Sequence, residues 1–199
     1  VLGSRGLGDV YKRQDTTPGQ IVAVYRNMES ETPKKRFTIG IVDDVTNLSL
    51  EIKENPDTTP KGITSCKFWG LGADGTVGAN KNSIKIIGDH TDMYAQGYFA
   101  YDSKKSGGLT VSHLRFGDKP IKSTYYISQA DFVACHKPSY VNEYDMVQDV
   151  KPGGSFLLNC LWSDEELDQH LPAKMKKYIA DNNINFYTID GVKLGKEIG

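Results

Sequence analysis

The chain has 199 residues, of which 38% are hydrophobic and 20 are glycine, as is typical of one globular domain or of one domain with part of another. Lys and Arg total 24 against 25 Asp and Glu, so the net charge of -1 gives no electrostatic reason to bind nucleic acid or an anionic membrane. No apolar run is long enough for a transmembrane helix, and three scattered cysteines argue against a disulfide scaffold, a zinc ribbon or an iron–sulfur cluster within this chain. These features favour a reduced, cytoplasmic protein.

The first fourteen residues, VLGSRGLGDVYKRQ, show no apolar periodicity and join nothing that follows. Codon by codon, residues 4–14 correspond to a common transposase-type sequencing adapter read in frame. We therefore interpret residues 1–14 as a non-native or disordered leader and exclude them from the fold prediction. A leader of this origin would also make the chain a piece of a larger protein, whereas the alternative is a natural flexible leader.

The segment after the leader has its own helix and ends in a linker. Thr17 and Pro18 predict a helix start, with a capping hydroxyl followed by proline at the first helical position. Residues 37–42 form an apolar run typical of a strand, and NPDTTPK at residues 55–61 is the best linker in the chain. We therefore predict that residues 15–62 are the tail of a preceding domain with a linker, and that residues 63–199 form a separate domain.

From residue 63 onward, strand-like runs alternate with helical patterns. Strands are predicted over residues 64–69, 94–101, 109–116, 124–127, 132–135, 155–159 and 184–189. Helices are predicted over residues 77–87, over residues 140–150 up to a break at KPGG, and from residue 163 to residue 182 with a division at Pro172. This alternation predicts an α/β layered fold, with a central, mostly parallel or mixed sheet flanked by helices.

A glycine-rich turn, GLGADGT at residues 70–76, fits the G-x-G-x-x-G pattern in a Rossmann-like context, directly after a predicted strand and at the start of a predicted helix. Glycine allows the backbone to turn tightly and to approach a ligand. The unpaired N–H groups of the first helical turn then face an anion such as a pyrophosphate. The alternative is a plain tight turn between a strand and a helix.

The end of the next predicted strand bears on the kind of nucleotide. Asp102 stands where a dinucleotide fold places an acidic residue on a ribose hydroxyl, which would indicate NAD. Lys104 and Lys105 follow at once, and two lysines suit a phosphorylated ribose better, as in NADP or the 3′-phosphate of coenzyme A. Taken alone, the same residues also fit a solvated surface loop.

Other candidate groups carry less weight. Cys135 and His136 are adjacent on a predicted strand, so their side chains point to opposite faces and cannot easily pair as nucleophile and base. His113 alternates with apolar residues and reads as structural. Asp43 and Asp44 have no further metal ligand at a useful spacing.

Two segments, GLGADGTVGANK and YDSKKSG, resemble the third domain of the pyruvate:ferredoxin (flavodoxin) oxidoreductases. The similarity extends over essentially residues 15–199, and these two segments are its most specific part. Members of this family often carry Ser where this chain has Ala73; a cradle of backbone N–H groups should tolerate the change, although a hydroxyl contact is lost.

The resemblance implies a large, homodimeric, anaerobic enzyme that decarboxylates pyruvate on thiamine diphosphate with Mg²⁺, passes electrons through [4Fe-4S] clusters to ferredoxin or flavodoxin, and releases acetyl-CoA. Its third domain binds coenzyme A, whereas the thiamine and cluster domains have no counterpart here, so the fragment alone should be inactive. By position, the coenzyme A phosphates would contact Gly72, Ala73, Asp74, Gly75 and Thr76. Lys104 would pair with a phosphate, with Lys105 as the second choice.

Two alternatives remain open at this stage. One is a stand-alone NAD(P)-binding or regulatory domain with a Rossmann-like fold, and the other is a structural domain that holds a larger assembly and binds no ligand. The sequence that follows Gly199 would discriminate, because the oxidoreductase continues into cluster-binding CxxCxxC motifs.

Overall fold

The structure, a computed structural model, describes residues 16–43, 45–101 and 108–198. The leader of residues 1–14 lies outside this part of the chain. The chain divides into two compact units: the first comprises the chain up to Thr59 together with Ser123–Tyr126, and the second comprises Pro60–Lys122 and Ile127–Gly199. The sequence predicts residues 123–126 as part of the second domain; in the structure the Tyr125 hydroxyl hydrogen-bonds to the Thr58 hydroxyl within the first unit.

Among the described residues of the first unit there is one helix, α1 (Pro18–Glu29), which starts where the capping pattern predicts. The Thr17 hydroxyl accepts from the backbone N–H of Gln20, and the Gln20 side chain accepts from the N–H of Thr17. The strand predicted over residues 37–42 is wrong, because only an isolated bridge joins Thr38 to Ser49. Gly40 lies at φ 79°, which breaks the extended conformation in the middle of the run.

The second unit is built on a six-stranded mixed sheet, so the α/β fold class is confirmed. Its strands are β1 (Ile63–Leu71), β2 (Tyr94–Tyr101), β3 (Leu109–Gly117), β4 (Ala130–Cys135), β5 (Val150–Asn159) and β6 (Asn185–Ile189). They lie in the order β2-β3-β1-β4-β5-β6, in which β3 is antiparallel to both neighbours and the other pairs are parallel. In a Rossmann βαβ unit, β1 and β2 would pair directly with each other. Here the antiparallel strand β3 lies between them.

Four α-helices and two 3₁₀ helices complete the part of the second unit that the structure describes. They are α2 (Thr76–His90), the 3₁₀ helices Pro138–Asn142 and Met146–Asp149, α3 (Asp164–His170), α4 (Ala173–Asp181) and α5 (Gly191–Ile198). The division at Pro172 is confirmed. The helix predicted over residues 140–150 is wrong, since two 3₁₀ turns take its place, and α5 was not predicted. No helix in the described ranges is long and apolar enough to cross a membrane.

Two further predictions about strands differ from the structure. Residues 124–127 form no strand. The segment KPGG, residues 151–154, does not precede β5 but lies inside it: Ala130 pairs with Val150 and Phe132 with Ser155, so the glycine-containing segment bulges out of the ladder. Gly153 at φ 76° supplies the conformation that a bulge needs.

Helices cover the two faces of the sheet around β1. The side chain of Thr76 in α2 contacts Gly70 on one face, and the ring of Tyr144 packs against Trp69 on the other, with ring centroids 5.7 Å apart. The hydrophobic core lies on the Trp69 face, between the β4–β5 part of the sheet, the two 3₁₀ helices and α4, and its fully buried members include Val133, Met146, Phe156 and Leu158. This core holds the carboxyl ends of the parallel strands in a rigid frame.

Candidate functional site

The parallel neighbours β1 and β4 lie where the connections of the sheet change sides. From β1 the chain passes to α2 on one face, and from β4 it passes to the 3₁₀ helices on the other. In open α/β sheets, such a switch point opens a crevice at the carboxyl ends of the strands, and ligands bind there. The glycine-rich turn follows β1 at this crevice, and His136 follows β4.

The turn begins later than predicted, because β1 continues to Leu71. Residues 72–75 are exposed, and Gly75 caps α2 in the left-handed conformation with φ 85° and ψ -2°. The Asp74 carboxylate is bound within the turn: one oxygen accepts from Leu71 N at 2.7 Å and the other from Thr76 N at 2.8 Å. Asp74 therefore shapes the turn through its side chain.

Burial alone would raise the pKa of Asp74, but hydrogen bonds from the Thr76 hydroxyl, the Thr76 amide and the Leu71 amide outweigh it and lower the pKa. The carboxylate is therefore ionised at neutral pH, with its charge distributed over these donors. A negative ligand at the turn must accordingly approach from the side away from Asp74.

Several amides at the start of α2 remain available to a ligand. Gly72 N donates to Gly108 O at 2.8 Å, and Ala79 N donates to Gly75 O at 2.9 Å. Four neighbouring N–H groups have no acceptor within the part of the chain that the structure describes: those of Ala73, Gly75, Val77 and Gly78. Unpaired amides at the positive end of a fifteen-residue helix are able to donate hydrogen bonds to an anion.

The glycines of the turn serve different purposes. A Cβ at Gly70 would lie 2.1 Å from Thr76 Oγ1 and 2.7 Å from an Asp74 carboxylate oxygen, so Gly70 is required for packing. A Cβ at Gly75 would meet nothing within 4 Å, so Gly75 is required for its positive φ and not for lack of space within the protein.

Thr76 links the turn to β4. Its side chain is buried, and its Oγ1 lies 2.8 Å from His136 Nδ1, which is 60 residues away in the sequence. One helical turn later, the Asn80 side chain donates to Thr76 O at 2.8 Å. No sequence pattern indicates this role for His136, because only the tertiary structure places the imidazole beside Thr76.

The lysines proposed to contact phosphate, Lys104 and Lys105, lie outside the described residues, as does Asp102. The described ends of that connection, Tyr101 and Gly108, both stand at the edge of the sheet where the turn lies, because β2 runs parallel to β1 and Gly108 O accepts from Gly72 N. In a dinucleotide fold, the strand whose end carries the ribose-binding residue lies directly beside β1. Here β3 separates β2 from β1, so the residue after β2 does not occupy that position.

The other candidates have structural surroundings. Cys135 Sγ donates to Lys137 O at 3.1 Å, and burial raises the pKa of its thiol to about 12, so it is no nucleophile at neutral pH. His113 is buried, and its Nδ1 accepts from Ile127 N at 3.2 Å. Asp43 accepts from the amides of Val45 and Thr46, and Asp44 is not described.

Comparison with known proteins gives a consistent result. The family model described as "Pyruvate ferredoxin/flavodoxin oxidoreductase" matches residues 65–199. The chain is 62% identical to the pyruvate:ferredoxin oxidoreductase of Moorella thermoacetica over 100% of this chain and 17% of that protein. It is 57% identical to the pyruvate-flavodoxin oxidoreductase of Klebsiella pneumoniae over 94% of this chain and 16% of that protein. The chain therefore spans about a sixth of the length of these relatives.

Solved structures share the fold. The pyruvate oxidoreductase subunit PORC of Thermotoga maritima aligns with a TM-score of 0.50 at 14% identity, over 69% of this chain and 67% of that one. A 2-oxoglutarate:ferredoxin oxidoreductase from Magnetococcus marinus, solved with 2-oxoglutarate, coenzyme A and succinyl-CoA bound, aligns with a TM-score of 0.50 at 16% identity, over 69% of this chain and 22% of that one. The family model matches more than half of the chain, and the relatives are similar over nearly all of it. This chain therefore belongs to the pyruvate ferredoxin/flavodoxin oxidoreductase family.

Proposed function

We propose that this chain is the coenzyme A-binding segment of a pyruvate:ferredoxin or pyruvate:flavodoxin oxidoreductase. The intact enzyme would convert pyruvate and coenzyme A to acetyl-CoA and CO₂ and pass two electrons to ferredoxin or flavodoxin, as a homodimer in the cytoplasm. The observation that carries the proposal is the row of unpaired amides at the start of α2, which stands at the switch point of the sheet.

The turn would bind the phosphates through its backbone. The amides of Gly75, Val77 and Gly78 would donate to phosphate oxygens, and the positive end of α2 would stabilise their charge. Gly72 and Ala73 would let the ligand approach the exposed backbone closely, while Asp74 and Thr76 hold the turn in shape. Lys104, or Lys105 as the second choice, would add a cation. Both belong to the connection between β2 and β3, and this connection begins and ends at the edge of the sheet where the turn lies.

Thiamine diphosphate, Mg²⁺ and [4Fe-4S] clusters would belong to other domains of the intact enzyme. The three cysteines are each buried as free thiols. No group of three or more His, Cys, Asp or Glu side chains within the described ranges is placed to hold a metal ion. The residues of this segment therefore do not fit a cluster, and we derive no electron-transfer step through them.

A stand-alone NAD(P)-binding domain is the alternative. It receives less support, because the ribose-binding acidic residue of a dinucleotide fold follows the strand beside β1, and here that position belongs to the antiparallel β3. Calorimetric titration with coenzyme A and with NADP⁺ compares the two proposals directly. Binding of NADP⁺ in preference to coenzyme A would overturn ours.

The chain by itself is expected to show no pyruvate-dependent dye reduction. Electron transfer from pyruvate needs the thiamine and cluster sites, and no group of side chains among the described residues is placed to hold a metal ion. The measurement is reduction of a viologen dye by the purified chain with pyruvate and coenzyme A. Any rate above that of buffer would contradict the assignment of the chemistry to other domains.

Lys104→Glu is expected to weaken coenzyme A binding by roughly 2–4 kcal/mol, because it replaces an attraction to phosphate by a repulsion. Lys119→Glu is the matched control, since Lys119 is exposed and follows β3 at the opposite edge of the sheet. Titration with dephospho-coenzyme A locates the contact: the loss shrinks if Lys104 binds the 3′-phosphate and persists if it binds the pyrophosphate. Equal effects of the two variants would contradict a role for Lys104.

A further inference from the structure

His136 is held from both sides by the sheet. Its N–H donates to Trp69 O in β1 at 2.8 Å, and its carbonyl accepts from the Asn159 side chain, at the end of β5, at 3.2 Å. The Asn159 side chain in turn accepts from Gly191 N at 2.9 Å. The main chain at His136 is thus fixed in the crevice between β1 and β4, and its imidazole extends from a rigid position.

The imidazole meets the turn at Thr76, where Nδ1 and Oγ1 are 2.8 Å apart. Burial lowers the pKa of His136, although Asp74 opposes this, so the ring is neutral at pH 7 and carries one N–H. The Thr76 hydroxyl donates to the Asp74 carboxylate, which lowers the pKa of that acid. A Thr76 hydroxyl that donates to Asp74 can accept only from the tautomer of His136 that carries its N–H at Nδ1.

The contact between Nδ1 and Oγ1 therefore joins the residue after β4 to the first residue of α2. Thr76 Oγ1 also packs against Gly70, where no Cβ would fit, so the hydroxyl has a single place to lie. Thr76 is the first residue of α2, and the unpaired amides of Val77 and Gly78 follow it directly. The direction of those amides depends on how Thr76 is held.

We propose that His136 is a positioning residue for the phosphate turn, which it orients for the ligand by donating from Nδ1 to Thr76 without contacting the ligand itself. This inference rests on the proposed function, because it assumes that the turn binds the phosphates of coenzyme A. It extends that function to a residue on a different strand, whose contribution acts through the first residue of α2.

The test uses variants that keep or remove the Nδ1 donor. His136→Asn places an amide N–H near the position of Nδ1, whereas His136→Gln places one near Nε2 and His136→Leu has none. We expect His136→Leu and His136→Gln to weaken the binding of coenzyme A roughly five- to tenfold, the effect of one lost hydrogen bond, and His136→Asn to stay within about threefold of the native affinity. Calorimetric titration of the full chain measures each value.

Thr76 provides the same test from the other side of the bond. Thr76→Ser keeps the hydroxyl and should bind coenzyme A nearly as the native chain does, whereas Thr76→Val should lose at least as much affinity as His136→Leu, because it also removes the hydroxyl beside Asp74. Combining Thr76→Val with His136→Leu should cost little more than Thr76→Val alone, because Thr76→Val already removes the contact with His136. Thermal unfolding of every variant accompanies the titrations, and the Thr76 pair decides the matter if the His136 variants do not fold.

The outcomes separate this inference from the proposed function. If His136→Leu and His136→Asn bind equally, or if the double variant is additive, His136 does not act through Nδ1 and the inference is wrong. If the His136 and Thr76 variants leave the affinity unchanged while Lys104→Glu weakens it, coenzyme A binds as proposed and only the positioning role fails. If none of these variants changes the affinity, the ligand does not bind at the turn and both proposals are overturned.

Discussion

Replacing Gly75 by Val is expected to abolish coenzyme A binding while the sheet remains folded. Gly75 has a φ of 85°, and a residue with a Cβ pays about 1–2 kcal/mol in that conformation, more if it is β-branched. Within the protein the new side chain would meet nothing within 4 Å, so it clashes with no core residue. It would occupy the open space beside the amides of Gly75, Val77 and Gly78, where the phosphates must approach.

Two control variants distinguish strain from obstruction at the turn. Gly75→Asn puts a residue that tolerates positive φ at the same place, so it keeps most of the backbone conformation but still adds a side chain. Gly88→Ala lies near the far end of α2, where a Cβ has open space, and should raise stability by about 0.5–1 kcal/mol without affecting the ligand. Calorimetric titration with coenzyme A and thermal unfolding are measured together. Unchanged affinity in Gly75→Val would show that the ligand does not bind here.

Acidification from pH 7.5 to pH 5.0 is expected to lower the free energy of unfolding of the second unit by about 2 kcal/mol through His113 alone. Burial, together with the nearby cations of Lys67 and Arg115, lowers the pKa of His113 from 6.5 to about 3. The unfolded chain therefore binds a proton near pH 6.5 that the folded chain does not bind. Stability is full above pH 6.5 and declines as the pH falls towards 3, because protonation favours the unfolded state.

His113→Asn isolates this contribution. The Asn side-chain oxygen can accept the Ile127 N–H that His113 Nδ1 accepts in the native chain, and Asn does not titrate. Urea unfolding followed by tryptophan fluorescence reports on the second unit, since both tryptophans, Trp69 and Trp162, lie in it. Between pH 7.5 and pH 5.0, the free energy of unfolding of the variant should fall by about 2 kcal/mol less than that of the native chain. Identical losses in the two proteins would mean that His113 is protonated in the folded state.

Features that depend on a few neighbouring residues were predictable from the sequence. The start of α1 follows from Thr17 and Pro18, and the division between α3 and α4 follows from Pro172. The place of the glycine-rich turn between β1 and α2 was also read from its own pattern. In each case the hydrogen bonds or steric limits involved span only three or four residues, so the local sequence contains all the necessary information.

Local patterns failed where a contact with a distant segment decided the outcome. Residues 140–150 have the composition of a helix but form two 3₁₀ turns, and the buried side chains of Tyr140 and Met146 pack in the core beneath the sheet. Residues 151–154 bulge out of β5 because the parallel pairing with β4 changes register there. Neither outcome has a signal within a short window, since each depends on the strand or core that the segment meets.

The sequence by itself determined the family, the α/β class and the presence of a glycine-rich turn between β1 and α2, because these follow from contiguous motifs and from the periodicity of apolar residues. The tertiary structure alone decided the strand order, with antiparallel β3 between β1 and β2, and the pairing of Thr76 with His136 across 60 residues. It also showed that the Asp74 carboxylate binds amides within its own turn. The physical reason is that strand order and side-chain pairing depend on which surfaces meet when the chain folds, and a linear pattern does not contain that information.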